Sequence, residues 1–237
     1  MVTTRSFGLL GTLLAGGLAI FGLLIGRAVQ RGREFDRFLT VRGLSEREVK
    51  ATVALWPLRF SVMAEDLPAL KVEMEKSRET VQAFFRAQNI AAEDVSVGLP
   101  SVQDRADREY GDAPATGLPR YKAIVTLVVR SSAVDVVKRA IQNVDQLLEQ
   151  GIRLTGNEHE LRPYFLFDGV NAIKPSMIEE ATGNARAAAQ KFALDSKATV
   201  GSIRRATQGA LEIDDLDIAS PERKVVRVVT TVEFFLQ

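Results

Sequence analysis

The sequence predicts an α+β fold: a largely antiparallel β-sheet with packed helices and two strand–helix–strand units, preceded by one N-terminal transmembrane helix. Three observations carry that expectation. An uncharged apolar run lies near the start. Several later stretches alternate apolar and polar residues with the two-residue period of half-buried strands. Three others repeat apolar residues every three or four positions, as amphipathic helices do. Residues 1–37 are read as a membrane anchor and connector, and residues 38–237 as the water-soluble domain.

Phe7 to Ile25 are nineteen consecutive residues without a charge, rich in Leu, Gly, Ala and Ile. As a helix they reach about 28 Å, close to the ~30 Å hydrocarbon core of a bilayer. A cleaved signal peptide has a shorter apolar core, with polar sequence after its small-x-small site. Here Gly17-Leu18-Ala19 is followed by Ile20-Phe21-Gly22-Leu23-Leu24-Ile25, which favours an anchor that stays attached. Gly8 and Thr12, Ala15 and Ala19, Gly22 and Gly26 make three small-xxx-small pairs, each seven residues after the last. Such a stripe lets two backbones approach in lipid, so these six residues are the candidate helix-association site. Gly11, Gly16 and Gly17 lie off the stripe, and membrane helices are rich in small residues generally.

The basic connector, residues 26–37, suits lipid headgroups. Phe38–Leu44 reads as a short strand and Ser45–Glu48 as a turn. Val49, Ala51, Val53 and Leu55 then alternate, and the apolar parity changes near Trp56-Pro57 to Leu58, Phe60 and Val62. A proline at such a change predicts a bulge on an edge strand. Asp66 stands as an N-cap with Pro68 in the first turn of a helix reaching about Gln88. Val95, Val97 and Leu99 alternate in the next strand. Residues 100–120 contain three prolines, two glycines and no periodicity, and are expected to be a long mobile loop.

Tyr121 to Val129 alternate again. Ser132 and Asp135 resemble a capping box before a stripe of Val134, Val137, Ile141, Val144 and Leu148, with Gly151 placed to end the helix. Short strands follow at 152–155 and 162–167. Pro175, Ser176 and Glu179 open a third helix whose face holds Ile178, Ala181, Ala185, Ala188, Ala189 and Phe192; so many alanines imply close packing on a flat partner such as a sheet. Residues 206–223 read as an acidic, loop-like insertion, and Val226 to Leu236 as a long closing strand.

The net charge is +1, unevenly placed: Arg5, Arg27, Arg31, Arg33 and Arg37 against Glu34 and Asp36 give residues 1–37 a balance of +3, leaving −2 for the rest. A domain so near neutrality lacks the electrostatic footprint of a nucleic-acid binder. The absence of cysteine excludes disulfides, thiolate catalysis and thiolate metal sites.

Several stretches together resemble the SIMPL-domain family, whose members include the YggE-like bacterial envelope proteins. TVRGLSEREVKATVALWPLRFSV is similar to its opening strand pair. The helix at 67–88 and NIAAEDVSV resemble its helix, exit and next strand, with Asn89 in place of the customary glycine. YKAIVTLVVRSSAVDVVKRAIQNVDQLLEQGI resembles its central strand and helix. IEEATGNARAAAQKFALDSKATVGSI resembles its alanine-rich helix and following strand, with Asp195-Ser196 where a glycine is more usual. RKVVRVVTTVEFFL resembles its closing strand. The resemblance implies an exported or inner-membrane-tethered envelope domain, linked to stress tolerance, that oligomerises. It places the domain on the periplasmic side. Positive charges counted alone put it in the cytoplasm, since Arg27, Arg31, Arg33 and Arg37 follow the apolar run and only Arg5 and the terminal amine precede it.

No catalytic constellation is legible. His159, the only histidine, sits in the polar run Asn157-Glu158-His159-Glu160, read as a solvated turn. Asp214, Asp215 and Asp217 offer oxygens to a hard cation, but the glycine and terminal glutamate of a calcium loop are missing, and an acidic solvated loop is preferred. Trp56, Phe60, Phe84, Phe85, Tyr164, Phe165 and Phe167 follow strand and helix periods and are assigned to the core. The sequence therefore predicts a non-enzymatic, membrane-anchored homo-oligomer needing no cofactor or metal, with residues 7–25 in lipid. A binding module for a small ligand or protein is the alternative, its ligand unknown.

Overall fold

The structure is a computed structural model that describes residues 15–26, 37–107 and 117–237. Residues 15–26 are helical (α1), and α1 is fully exposed. The remaining elements are β1 (Phe38–Lys50), β2 (Val53–Ala64), α2 (Leu67–Ala87), β3 (Val95–Val97), β4 (Ser101–Asp104), β5 (Tyr121–Ser131), α3 (Val134–Gln142), α4 (Asp145–Glu149), β6 (Arg153–Leu154), α5 (Glu158–Leu161), β7 (Tyr164–Leu166), α6 (Val170–Asp195), β8 (Val200–Asp215) and β9 (Arg223–Leu236). The α+β expectation holds: antiparallel sheet with helices packed on it. The chain falls into two compact units, the first drawn from Met1–Arg47, Ile173–Glu212 and Val226–Gln237, the second from Glu48–Ala172 and Ile213–Val225.

In the first unit a three-stranded sheet, ordered β1-β9-β8, carries α6 on one face. The sequence reading of alanines lying flat on a sheet is met: Ala181, Ala185 and Ala189 are completely buried, and Ala185 and Ala189 pack with Val41, Val232 and Phe234. The strand beneath answers with its own missing side chain. A Cβ built on Gly43 would lie 1.8 Å from the carbonyl oxygen of Ala181 and 2.6 Å from the Ala185 nitrogen, so helix and strand backbones touch there. Asn184 Nδ2 donates to the Leu44 carbonyl at 2.8 Å, and Ser45 Oγ donates to Glu180 at 2.9 Å, fixing the contact along its length.

Three details differ from expectation. Phe192 is 59% exposed, and the buried large residue is Met177 instead. Nor do Pro175 and Ser176 open the helix, which starts at Val170 with Pro175 inside it; Ser176 Oγ donates to the Ile173 carbonyl at 2.9 Å. Much of the segment expected as a 206–223 insertion is instead strand, since β8 runs to Asp215. It lacks apolar alternation because nearly all of it is exposed.

The second unit places β2 and β5 at the centre of a sheet ordered β3-β5-β2-β6, with β4 also on β5 and β7 also on β2. Both expected strand–helix–strand units are present, β2–α2–β3 and β5–α3/α4–β6, and the closing strand of each pairs with the opening strand of the other. This is the split β-α-β arrangement of ferredoxin-like folds. The helices cover one face, over Ala54, Trp56, Leu58 and Phe60 of β2 and Val125, Leu127 and Val129 of β5.

No bulge interrupts β2. Its register with β5 is continuous from Ala54↔Ser131 to Ala64↔Tyr121, so the apolar parity changes at the β1–β2 turn and not at Pro57. Pro57 is tolerated in an interior strand for a local reason. The Arg59 carbonyl faces the β6 side, where it accepts from Thr155 N at 3.0 Å, and residue 57 has the same parity. On that side β7 pairs with 53–55 and β6 with 60–61, so among the described residues no strand asks for the missing N–H.

β1 likewise continues through Ser45–Glu48, where a turn was expected, because the residues on its covered side are small enough to pass under α6. Asp66 caps α2 by accepting from Ala69 N at 2.7 Å. Asp66→Ala should therefore lower stability by about 1 kcal/mol, read as a drop in denaturation midpoint. The α3 stripe breaks at Asn143, so Leu147 is buried and Leu148 is 56% exposed. The start of α3 is held by Ser131 Oγ, which accepts from Ala133 N at 3.1 Å, and not by a Ser132–Asp135 box. Gly151 does end α4, with φ at +82°. Part of the expected 100–120 loop is structured: Ser101–Asp104 pairs with β5, and Arg120 grips Asp104 through Nε at 3.0 Å and Nη2 at 2.7 Å.

Candidate functional site

Of the six helix-association residues, Gly8 and Thr12 lie outside the described residues, as does the start of the apolar run. Ala15, Ala19, Gly22 and Gly26 are on α1, where spacings of four, three and four residues bring them to one face. Among the described residues that face is open: a Cβ at Gly22 or Gly26 would meet none of their atoms within 4 Å. Around the rest of the helix Leu18, Ile20, Phe21, Leu23 and Leu24 are 60–64% exposed and Ile25 is 47% exposed. The twelve residues of α1 reach about 18 Å, and among the described residues no helix is long and apolar enough to cross a membrane.

Charge concentrates within the second unit, beside the turn that joins β8 to β9. Three ion pairs line up there. Arg223 Nη2 meets Glu48 at 2.6 Å, Lys50 Nζ meets Asp135 at 2.6 Å, and Lys138 Nζ meets Glu222 at 2.5 Å. Asp135 and Lys138 are three residues apart on α3 and so share its face. Most of these groups line an open cleft of about 410 Å3. Glu222 is the buried member, 8% exposed; its carbonyl accepts from Ala51 N at 2.7 Å, and its Oε2 is buried without a hydrogen-bond partner among the described residues.

The electrostatics are those of ion pairs. Burial pushes the Glu222 carboxyl up, but the Lys138 ammonium and the Glu222 backbone N–H outweigh it and hold the group below the ordinary carboxylate range. The Lys50 hydrogen bond holds Asp135 low, and the Arg120 guanidinium, with Ala106 N–H, does the same for Asp104. A general acid at neutral pH needs a shift the other way. Asp215 is likewise turned to cations, Lys224 and Arg162, while Asp217 accepts from Ser220 N at 2.7 Å. Among the described residues no group of carboxylates and histidines is arranged to hold a metal.

The aromatic set divides. Trp56, Phe60, Phe84, Phe85 and Phe165 are all at most 4% exposed and belong to one core cluster, with Trp56 edge-on to Phe85 at 5.7 Å. Tyr164 is 47% exposed. His159 lies in α5, whose first turn is closed by an Asn157–Glu160 capping box. A second, smaller cleft of about 280 Å3 is lined by Ser61, Met63, Glu73, Ser77 and Arg153 among others. No sequence signal marks the Lys138–Glu222 pair, because its members are 84 residues apart and only folding joins them.

A family model named SIMPL, described as a protein of unknown function (DUF541), matches residues 39–234. The chain belongs to the SIMPL family. The match runs from β1 into β9, and α1 lies before it. No curated protein matches the chain. Two departures from the SIMPL pattern acquire a physical reading. Asn89, in place of the customary glycine, has φ at +62°, a left-handed conformation that asparagine tolerates better than most residues. The conformation in the Asp195-Ser196 region falls on Lys197, with φ at +53°.

Proposed function

We propose that this SIMPL protein is a non-enzymatic, membrane-anchored envelope protein that acts as a homo-oligomer, with a role in envelope or stress tolerance. One observation carries the anchor: six large apolar side chains of α1 stand exposed with no cover from the described chain. An exposed apolar helix of this kind calls for lipid or a protein partner. The uncharged run continues upstream to Phe7, giving the length that α1 lacks. The open small-residue face supplies the contact between copies in the bilayer.

The absence of enzymatic chemistry is supported by paired, lowered carboxylates and by aromatic rings that fill the core instead of lining a pocket. The soluble domain is placed on the periplasmic side of the inner membrane, as the envelope resemblance implies and against the arginine count; protease access to intact membranes from each side decides it. Replacing Ala15, Ala19, Gly22 and Gly26 together with leucine should reduce detergent-resistant oligomers at least several-fold. An unchanged oligomer size after that replacement removes the helix contact from the account.

A further inference from the structure

We propose that the free edge of β8 pairs antiparallel with the same edge of a second copy of this chain, joining two three-stranded sheets into one. This deepens the homo-oligomer reading and rests on it. β8 is the outer strand of the order β1-β9-β8, so among the described residues one of its edges has no strand beside it. Every residue from Ser202 to Ala210 is exposed. A sixteen-residue edge with no proline presents a long row of N–H and C=O groups for another strand to complete.

The order of charges selects a second copy as the occupant. Arg204 and Arg205 precede an uncharged centre, Ala206-Thr207-Gln208-Gly209-Ala210-Leu211, and Glu212, Asp214 and Asp215 follow it. Laid antiparallel on itself about a two-fold axis at Gln208, β8 sets Arg204 opposite Glu212, and symmetry repeats the pair. Moving the axis onto Gly209 sets Arg204 opposite Asp214 instead. Parallel pairing in register stacks arginine on arginine and acid on acid. Opposite charges directly across a ladder stabilise it and like charges oppose it, and a two-fold contact doubles each pair. Arg204 already has partners on its own sheet, Glu233 at 3.7 Å and the Phe38 ring at 4.1 Å, so it is held in place along the edge. Charged edges also serve to keep strands apart; that is the competing outcome.

The chain has no cysteine, so a single introduced one reports only contacts between copies. In the full chain held in detergent, mild oxidation of Gln208→Cys should give a covalent dimer on non-reducing electrophoresis. Ser202→Cys should give none, because its two copies stand roughly 40 Å apart along the paired strands. Adding Arg204→Glu and Arg205→Glu should cut the Gln208→Cys dimer about tenfold, and further adding Glu212→Arg and Asp214→Arg should restore it to within about twofold. Equal cross-linking at 202 and 208, or charge reversals without effect or without rescue, overturns the β8 contact. Failure at 208 in a chain that still sediments as an oligomer removes this interface alone. A chain that sediments as a monomer removes the oligomer reading with it.

Discussion

Gly43→Ala should cost roughly 3–5 kcal/mol, or prevent folding of the first unit altogether. The new methyl carbon would sit 1.8 Å from the Ala181 carbonyl oxygen, 2.6 Å from the Ala185 nitrogen and 2.9 Å from the Ala181 carbonyl carbon. All three are backbone atoms of α6, so no side-chain rotation makes room. The helix must lift from β1, opening the layer formed by Val41, Ala185, Ala189, Val232 and Phe234. The backbone origin of the clash gives a specific second result: Ala181→Gly added to Gly43→Ala should not rescue. Arg42→Ala, on the exposed side of the same strand, should stay within about 0.5 kcal/mol of the wild type. Urea denaturation measures all three. A Gly43→Ala protein with an ordinary midpoint would contradict the backbone contact.

Lys138→Met should destabilise the second unit by about 2–3 kcal/mol, a figure reduced because Lys138 itself is 35% exposed. The cost arises from what is left behind. Glu222 has one oxygen on Lys138 and the other buried without a partner among the described residues, so removing the ammonium strands a carboxylate with little access to water. Glu222→Met together with Lys138→Met removes the burden and should recover most of the loss. A double-mutant cycle separates this from lost packing.

The acid side follows from the same pair. The folded carboxyl of Glu222 lies below its ordinary value of 4.5, so the stability of its charged form is present above that value and lost as pH falls through the lowered one. In the Lys138→Met variant the ammonium's downward pull is gone while burial remains, so the folded carboxyl rises and its protonation no longer costs the fold as much. The acid-side loss contributed by Glu222 should then be smaller than in the wild type, in a denaturation series run from neutral to acid.

What the sequence revealed depended on whether each signal was local. The alanine run of α6 was readable because alanine at helical spacing has one main packing use, a helix lying flat on a neighbour. Gly43 stood in the family pattern, but its purpose, touching the α6 backbone, required the fold. Pro57 misled because proline in a strand points to an edge. It sits in the interior of a sheet only because β6 and β7 leave a gap beside it. The part of β8 beyond residue 205 was missed for the opposite reason: a strand exposed on both faces carries no alternation, so its charges and glycine read as loop. The ion pairs around Glu222 were invisible, because nothing local distinguishes one of thirty carboxylates until α3 and the β8–β9 turn are brought together.

The account turns on the apolar N-terminal run staying in lipid on the mature chain. Alkaline carbonate extraction of membranes carrying the full chain, with the mass of the retained protein measured, tests this most directly. The expected result is protein that stays with the membrane pellet and keeps every residue from Phe7 to Ile25. Protein released to the supernatant, or a mature chain beginning near residue 20, would contradict it.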